Sequence, residues 1–299
     1  MASNDWRTSG HRPGLTEAPA PHGAAPEHPT HEADPETAEP SPPQEPAPNS
    51  LMGCWRDFVR AATFLSRIPF QIDETEAARP LATAALGFPL VGLMIGVIGA
   101  IALLIANAVG LPQLASALIG VAATALVAGG LHEGGLANAV DGLLSGKDRD
   151  DSLRIMRESS LGKFGMLALI FVVGLKVAAI EALGSGLAAA SLIAAEVVGR
   201  TVLPVILMLI PPSRTEGLSF EAGRPRKENV TLSLLLGGAL TLLMLGIGAG
   251  LVAIIVTAAL CALMARIATM RLGGHTGDVL GAIEQITATV VLLTAAAVV

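Results

Sequence analysis

The sequence contains no tyrosine, only two cysteines, and an aromatic fraction of 3%. So small an aromatic supply disfavours an aromatic-rich sandwich core and leaves Ala, Leu, Val and Gly to fill the apolar runs. That composition favours helices packed closely through small side chains. Cys54 and Cys261 stand far apart and match no metal-binding or redox spacing, so neither a disulfide framework nor a thiol centre is indicated, and both read as packing residues. Charge is scarce as well. Charged residues make up 15% of the 299 positions against 52% hydrophobic, with a mean hydropathy of +0.62, a balance foreign to a soluble domain of this size. The formal charge of −6 is inflated by an acidic first segment. The basic residues fall mainly between apolar stretches, a pattern of membrane orientation and not of nucleic-acid binding. The expected fold class is all-α: a polytopic integral membrane helical bundle.

The chain divides in two. Residues 1–50 are rich in Pro, Glu, Ala and His and hold too little apolar surface to offset the entropy of ordering, so a disordered tail is expected there. It lacks the basic start and apolar middle of a secretory signal. Its histidines His11, His22, His28 and His31 suit either weak metal binding or a solvated linker. Residues 51–299 form the membrane domain. They open with WRDFVRAATFLSRIPF, an amphipathic helix for the membrane interface ended by Pro69. Spans of about 20 residues, the length that crosses hydrocarbon, then fall at 84–107, 113–131, 164–183, 186–210, 230–246, 249–268 and 283–299. The fifth and sixth share one apolar run, and only Gly246, Gly248 and Gly250 mark where it turns.

These seven spans put the basic residues on one side. Arg56, Arg60, Arg67 and Arg79 precede the first span, and Lys147, Arg149, Arg154, Arg157 and Lys163 lie between the second and third. Arg214, Arg224, Arg226 and Lys227 lie between the fourth and fifth, and Arg266 and Arg271 between the sixth and seventh. Cytoplasmic loops carry such an excess. The expected location is the cell inner membrane, multi-pass, with the tail and the polar loops cytoplasmic.

The most polar connection, residues 129–165, reads GGLHEGGLANAVDGLLSGKDRDDSLRIMRESSLGKFG. His132, Glu133, Asn138 and Asp141 fall near a helix end, and Gly134 and Gly135 let a ligand approach the backbone. Mg2+ takes one or two carboxylates together with substrate phosphates; Asp141, Glu133 and Glu158 suit that role, with Lys147, Arg149, Arg154, Arg157 and Lys163 balancing phosphate charge. The alternative is an ordinary charged loop whose cations enforce topology. Two cations, Lys176 and Arg200, fall inside apolar spans, where charge faces a bundle interior or a polar cavity. They suit a cationic pocket for a diphosphate, or ion pairs with Glu181 and Glu196. Near the end, RLGGHTGDVLGAIEQIT sets Gly273, Gly274 and Gly277 around Thr276 and Asp278. Glycine-rich backbone at a helix start cradles phosphate; capping by Thr276 or Asp278 is the plainer reading.

The block LHEGGLANAVDG followed by RIMRESSLGKFG resembles the pattern H-x-D-G-L-A-D-x-x-D-G and I-M-R-D-S-x-x-G-x-x-G of the cobalamin synthase family. FLSRIPF, GFPLVGLMIG, ALIFVVGLKV, SRTEGLSFEAGRP and GGHTGDVLGA are similar to that family in the same order, from about residue 55 to the C-terminus. The resemblance implies a membrane ribazoletransferase. Such an enzyme joins adenosylcobinamide-GDP to alpha-ribazole or its 5′-phosphate, giving cobalamin or its phosphate and GMP. It also implies Mg2+ held by Glu133, Asn138, Asp141, Glu158 and Asp278, catalytic roles for His132, Asp141 and Arg157, and substrate contacts from Lys147, Arg154, Lys176, Arg200, Gly274 and Thr276. Arg214, Glu216 and Gly217 are expected on the same face, and His275 occupies a variable position. The pattern is broken where the family carries Asp: Gly134, Asn138 and Glu158 stand there. Glu133 is a substitute ligand for the missing position 134. A weakened member, or one that binds or carries corrinoid without turnover, is the alternative.

Overall fold

The computed structural model describes residues 51–158 and 160–298. The tail with its four histidines, and Ser159 of the RESS motif, lie outside the described residues. Helices make up nearly all the rest, and an isolated bridge between Pro212 and His275 is the one β-type pairing among the described residues. The order is α1 (Leu51–Leu65), α2 (Glu74–Ala77), a short 3-10 turn (Leu81–Ala84), α3 (Gly87–Ala108), α4 (Gln113–Ala128), α5 (Leu131–Ser145), α6 (Arg149–Glu158), α7 (Lys163–Glu181), α8 (Ser185–Leu209), α9 (Leu218–Glu221), α10 (Lys227–Leu272) and α11 (Gly277–Val298).

Five helices, α3, α7, α8, α10 and α11, are long and apolar enough to cross a membrane. At 46 residues α10 would run about 69 Å as one rod, more than twice a hydrocarbon core of about 30 Å. It does not run straight. At Gly246 the backbone turns to φ 77°, ψ 169°, a conformation open to glycine and costly for other residues. Beyond it Gly250 packs against Leu242, and Ile254 comes up to Gly238. The two limbs therefore form an antiparallel hairpin, and the expected pair 230–246 and 249–268 is realised.

The expected second span differs. The helix α4 has 16 residues, about 24 Å of rise, and it ends at Gly129 and Gly130, both left-handed at φ 70° and 68°. There the chain bends by 90° into α5. The polar stretch expected as a connection is thus largely helical, as α5 and α6. Three glycines within α5 weaken its intrinsic helix preference. Packing against α7 and α11, which bury Leu136, Ala137 and Ala139, supplies what local sequence does not.

Packed against α3, α10 and α11, α8 forms the centre of the bundle. The basic connections meet at one end. Arg149 donates to the carbonyls of Leu272 (2.9 Å) and Ser213 (2.8 Å), Arg271 to Leu143, Arg214 to Leu153, and Asn229 to Thr83. At the opposite end Gln113 donates to the carbonyls of Ile180 and Leu183. The one-sided arrangement expected from the charge pattern is therefore present in three dimensions.

Candidate functional site

At the basic end, where α5 crosses α11, a cavity of about 330 Å3 opens. The crossing is close because both helices carry glycine at the contact. A Cβ on Gly281 would lie 3.0 Å from the Gly135 Cα, and one on Gly135 would lie 3.1 Å from the Gly281 Cα. That approach sets His132, Gly134 and Asn138 of α5 beside Asp278 of α11, all facing the cavity. Asn138 Nδ2 donates to Asp278 Oδ1 at 3.0 Å. Thr276 caps α11 by accepting from the Val279 N–H (3.2 Å), and it also lines the cavity. Arg214 and Glu216 stand at the rim, and Glu216 pairs with Arg157 at 3.1 Å. Partial burial pulls the Arg214 guanidinium pKa down from its ordinary value, and the Asp278 carboxylate opposes that shift.

Two positions at the cavity are left without a partner in the protein alone, one a polar atom and one a glycine. His132 is 3% exposed, and its Nε2 is a buried atom with no hydrogen-bond partner. Buried polar atoms are normally paired. Gly134 lines the same cavity with no atom within 4 Å of where a Cβ would stand. A side chain there would point into open space.

The other expected site residues are dispersed. Asp141 is buried behind the cavity wall, where its carboxylate accepts from the N–H groups of Gly162 (2.7 Å) and Phe164 (3.1 Å) and so caps α7. Gly162 and Gly165 leave it room, since a Cβ on either would overlap its oxygens. Glu133 accepts from Gln285 Nε2 at 3.0 Å, and Gln285 Oε1 accepts from Lys176 Nζ at 2.7 Å. Arg200, 1% exposed, pairs with Glu196 and with Glu284 at 2.9 Å. The expected Arg200–Glu196 pair is present, whereas Lys176 meets Gln285 and not Glu181. Arg154 is held between Asp151 and Glu158, and Lys147 is exposed. Gly274 packs its backbone on Pro211, while His275 N–H donates to the Pro211 carbonyl and Ser213 N–H to that of His275. Glu284 and Gln285 escaped the sequence reading, although polar residues inside an apolar run are a signal.

Among the described residues no three His, Cys, Asp or Glu side chains gather as a metal site. Of the five expected ligands only Asn138 and Asp278 meet at the cavity. These residues fit a Mg2+ bound chiefly through substrate phosphate and water, which is common for that ion; they do not fit a cage built from protein alone.

The sequence profile of the cobalamin-5-phosphate synthase family matches residues 57–296. The chain belongs to this family. A relative from Bradyrhizobium diazoefficiens, named adenosylcobinamide-GDP ribazoletransferase, is 37% identical over 253 residues, covering 84% of this chain and 97% of its own. Relatives of the same name from Azorhizobium caulinodans and Brucella canis are 38% and 36% identical, covering 77% and 80% of this chain and 91% and 94% of theirs. No solved structure matches the chain. Family membership accounts for the motif order, and the cavity brings five of its motifs to one place: FLSRIPF, GFPLVGLMIG, LHEGGLAN, SRTEG and GGHTGD.

Proposed function

We propose that the chain is an adenosylcobinamide-GDP ribazoletransferase acting at this cavity. The observation that carries the reading is the convergence of His132, Asn138, Thr276, Asp278 and Arg214 from separate motifs on one opening, in a chain of the family. The ribazole hydroxyl oxygen attacks the phosphorus that bears the cobinamide. The bond from that phosphorus to the bridging oxygen breaks, GMP leaves with that oxygen, and the hydroxyl proton is taken up as the phosphodiester forms. We assign the uptake of that proton to His132, which lines the cavity and whose Nε2 is buried without a partner until substrate opens a path to it. Arg214, with Arg157 behind Glu216, meets the diphosphate charge at the rim. Mg2+ would be held by Asp278 and would neutralise charge on the transferring phosphoryl group. Positioning and charge neutralisation do most of the work in such a transfer.

The reading is tested by purifying the full chain in lipid and measuring GMP release from adenosylcobinamide-GDP and alpha-ribazole against Mg2+ concentration. Asp278→Asn should lower kcat about 100-fold, the scale of losing one charge-stabilising group, and raise the Mg2+ needed for half-maximal rate. Absence of GMP release from the unaltered chain overturns it. A second reading has a specific observation behind it. Positions 134 and 138, where the family pattern carries Asp, face the cavity as Gly and Asn. If only a Gly134→Asp, Asn138→Asp double variant turns over, the unaltered chain binds corrinoid without converting it.

A further inference from the structure

The α9 segment borders two cavities. Leu218 and Ala222 line the one at the α5–α11 crossing, Phe220 and Gly223 line a second of about 350 Å3 at the end of α8, and Ser219 lines both. The second cavity is amphiphilic. Leu207, Leu209, Ile210 and Phe220 give it an apolar wall, on which Leu209 is 62% and Phe220 45% exposed. Arg224 gives it charge. Its Nε donates to the Met208 carbonyl at 3.1 Å, while its terminal nitrogens have no hydrogen-bond partner among the described residues. A guanidinium fixed through one nitrogen, with the other two left over, is oriented to take two oxygens of a phosphate group. Arg226 and Lys227 follow it, exposed and in no ion pair among the described residues, although Glu221 and Glu228 flank the run.

A third cavity, of about 230 Å3, lies between α8 and the two limbs of the α10 hairpin, and it meets the second at Leu209, which lines both. Apart from Cys261 and three threonines its wall is glycine and aliphatic side chains. Two of those threonines, Thr201 and Thr241, turn their hydroxyls to carbonyls of their own helices at 2.7 Å. Leu234 and Ala262 on the wall are exposed on the outside of a membrane-spanning hairpin. Protein interiors seldom keep voids much larger than a water molecule, and a void that opens on hydrocarbon is accessible to an acyl chain.

We propose that α8 and α10 hold one anionic phospholipid, its phosphate on Arg224 and an acyl chain passing Leu209 into the cavity of the α10 hairpin. Arg226 and Lys227 balance the headgroup charge, since cations just outside a span favour anionic lipids. From the basic end inwards the order is cation, exposed apolar side chain, apolar cavity. That is the order of a phospholipid, and a free anion would leave the hairpin cavity unfilled. The lipid backs the α9 segment without entering the cavity at the α5–α11 crossing, so the inference does not depend on which reaction the chain performs.

The test titrates the full chain, in mild detergent, with phosphatidylglycerol or phosphatidylcholine carrying the same oleoyl chains, and reads retained lipid by native mass spectrometry. One phosphatidylglycerol should be retained, about tenfold more tightly than phosphatidylcholine. Arg224→Gln should remove most of that preference, and Arg224→Lys should keep part of it, because the charge stays while the fork is lost. The double variant Arg226→Gln, Lys227→Gln leaves the Arg224–Met208 bond in place and should weaken phosphatidylglycerol by about fivefold or more. Gly238 lines the hairpin cavity, and the nearest atom to a Cβ there is 4.0 Å away. Gly238→Leu therefore fills the cavity without a clash at Cβ. It should weaken dioleoyl phosphatidylglycerol by about tenfold and leave the dihexanoyl analogue, too short to reach the hairpin, within about twofold. Equal retention of the two oleoyl lipids overturns the proposal, as does unchanged dioleoyl affinity in a folded Gly238→Leu protein. So does displacement of phosphatidylglycerol by millimolar inorganic phosphate, which would make Arg224 a free-anion site.

Discussion

Asp141 matches the family motif and is one of the expected metal ligands, yet its carboxylate holds the first turn of α7 and does not line the cavity. Sequence spacing gives a residue's neighbours along the helix and not the partner it finds 21 residues later. Asp141→Ala removes both acceptors from the half-buried N–H groups of Gly162 and Phe164 and should cost about 1–3 kcal/mol in all; Asp141→Asn keeps one oxygen and should cost less. Thermal unfolding of both variants checks this, and the half-saturating Mg2+ concentration should not move in Asp141→Asn. His275 occupies the variable position of the GGHTGD motif, yet it is buried. It is 2% exposed with Nδ1 unpartnered, and burial holds its pKa down at about 4 from an ordinary 6.5. Below about pH 6.5 the unfolded chain takes up a proton that the folded one refuses, so stability falls as pH drops from 6.5 to 4 and this group contributes no further loss below that. The unfolding temperature of His275→Gln should fall less across that window than that of the unaltered chain.

At the scale of elements, the long apolar runs made the spans legible, and the glycine cluster at 246–250 marked the hairpin because few other residues adopt φ 77°. What was hidden is α5. Its glycines and polar residues read as a connection, and its helical state comes from burial against the nearby α7 and against α11, whose Asp278 lies 140 residues beyond Asn138. The site inherits this division: LHEGGLAN and GGHTGD were each visible, but the crossing that joins Asn138 to Asp278 was not. Two glycines on α5 should respond in opposite ways. Gly135→Val meets the α11 backbone, must push the helices apart, and should cost about 1–3 kcal/mol while lowering turnover as Asp278 moves from Asn138. Gly134→Ala meets nothing within 4 Å and should stabilise the chain by about 0.5–1 kcal/mol through helix propensity. Urea unfolding of the two variants in one detergent measures the contrast.

For the whole molecule, the separation of charge carries the orientation. Beyond residue 50 only Lys176 and Arg200 stand away from the basic end, and both are buried against Gln285, Glu196 and Glu284. Those interior charges are paired or hydrogen-bonded, which is how a bundle tolerates them, and they leave the topology to the loops. Lys and Arg set the orientation bias while Asp and Glu contribute little, so the excess of Lys and Arg in these loops, and not net charge, argues for one orientation. The cavity opens at that end, and a cytoplasmic face for it is the expectation that thiol labelling tests. In a chain with Cys54 and Cys261 replaced by alanine, Lys147→Cys should resist a membrane-impermeant thiol reagent on intact spheroplasts and react after lysis. Ser185→Cys, at the opposite end, should react before lysis. The reversed pattern would put the cavity on the outer face, and a cytoplasmic substrate would then have to cross the membrane before it could reach His132.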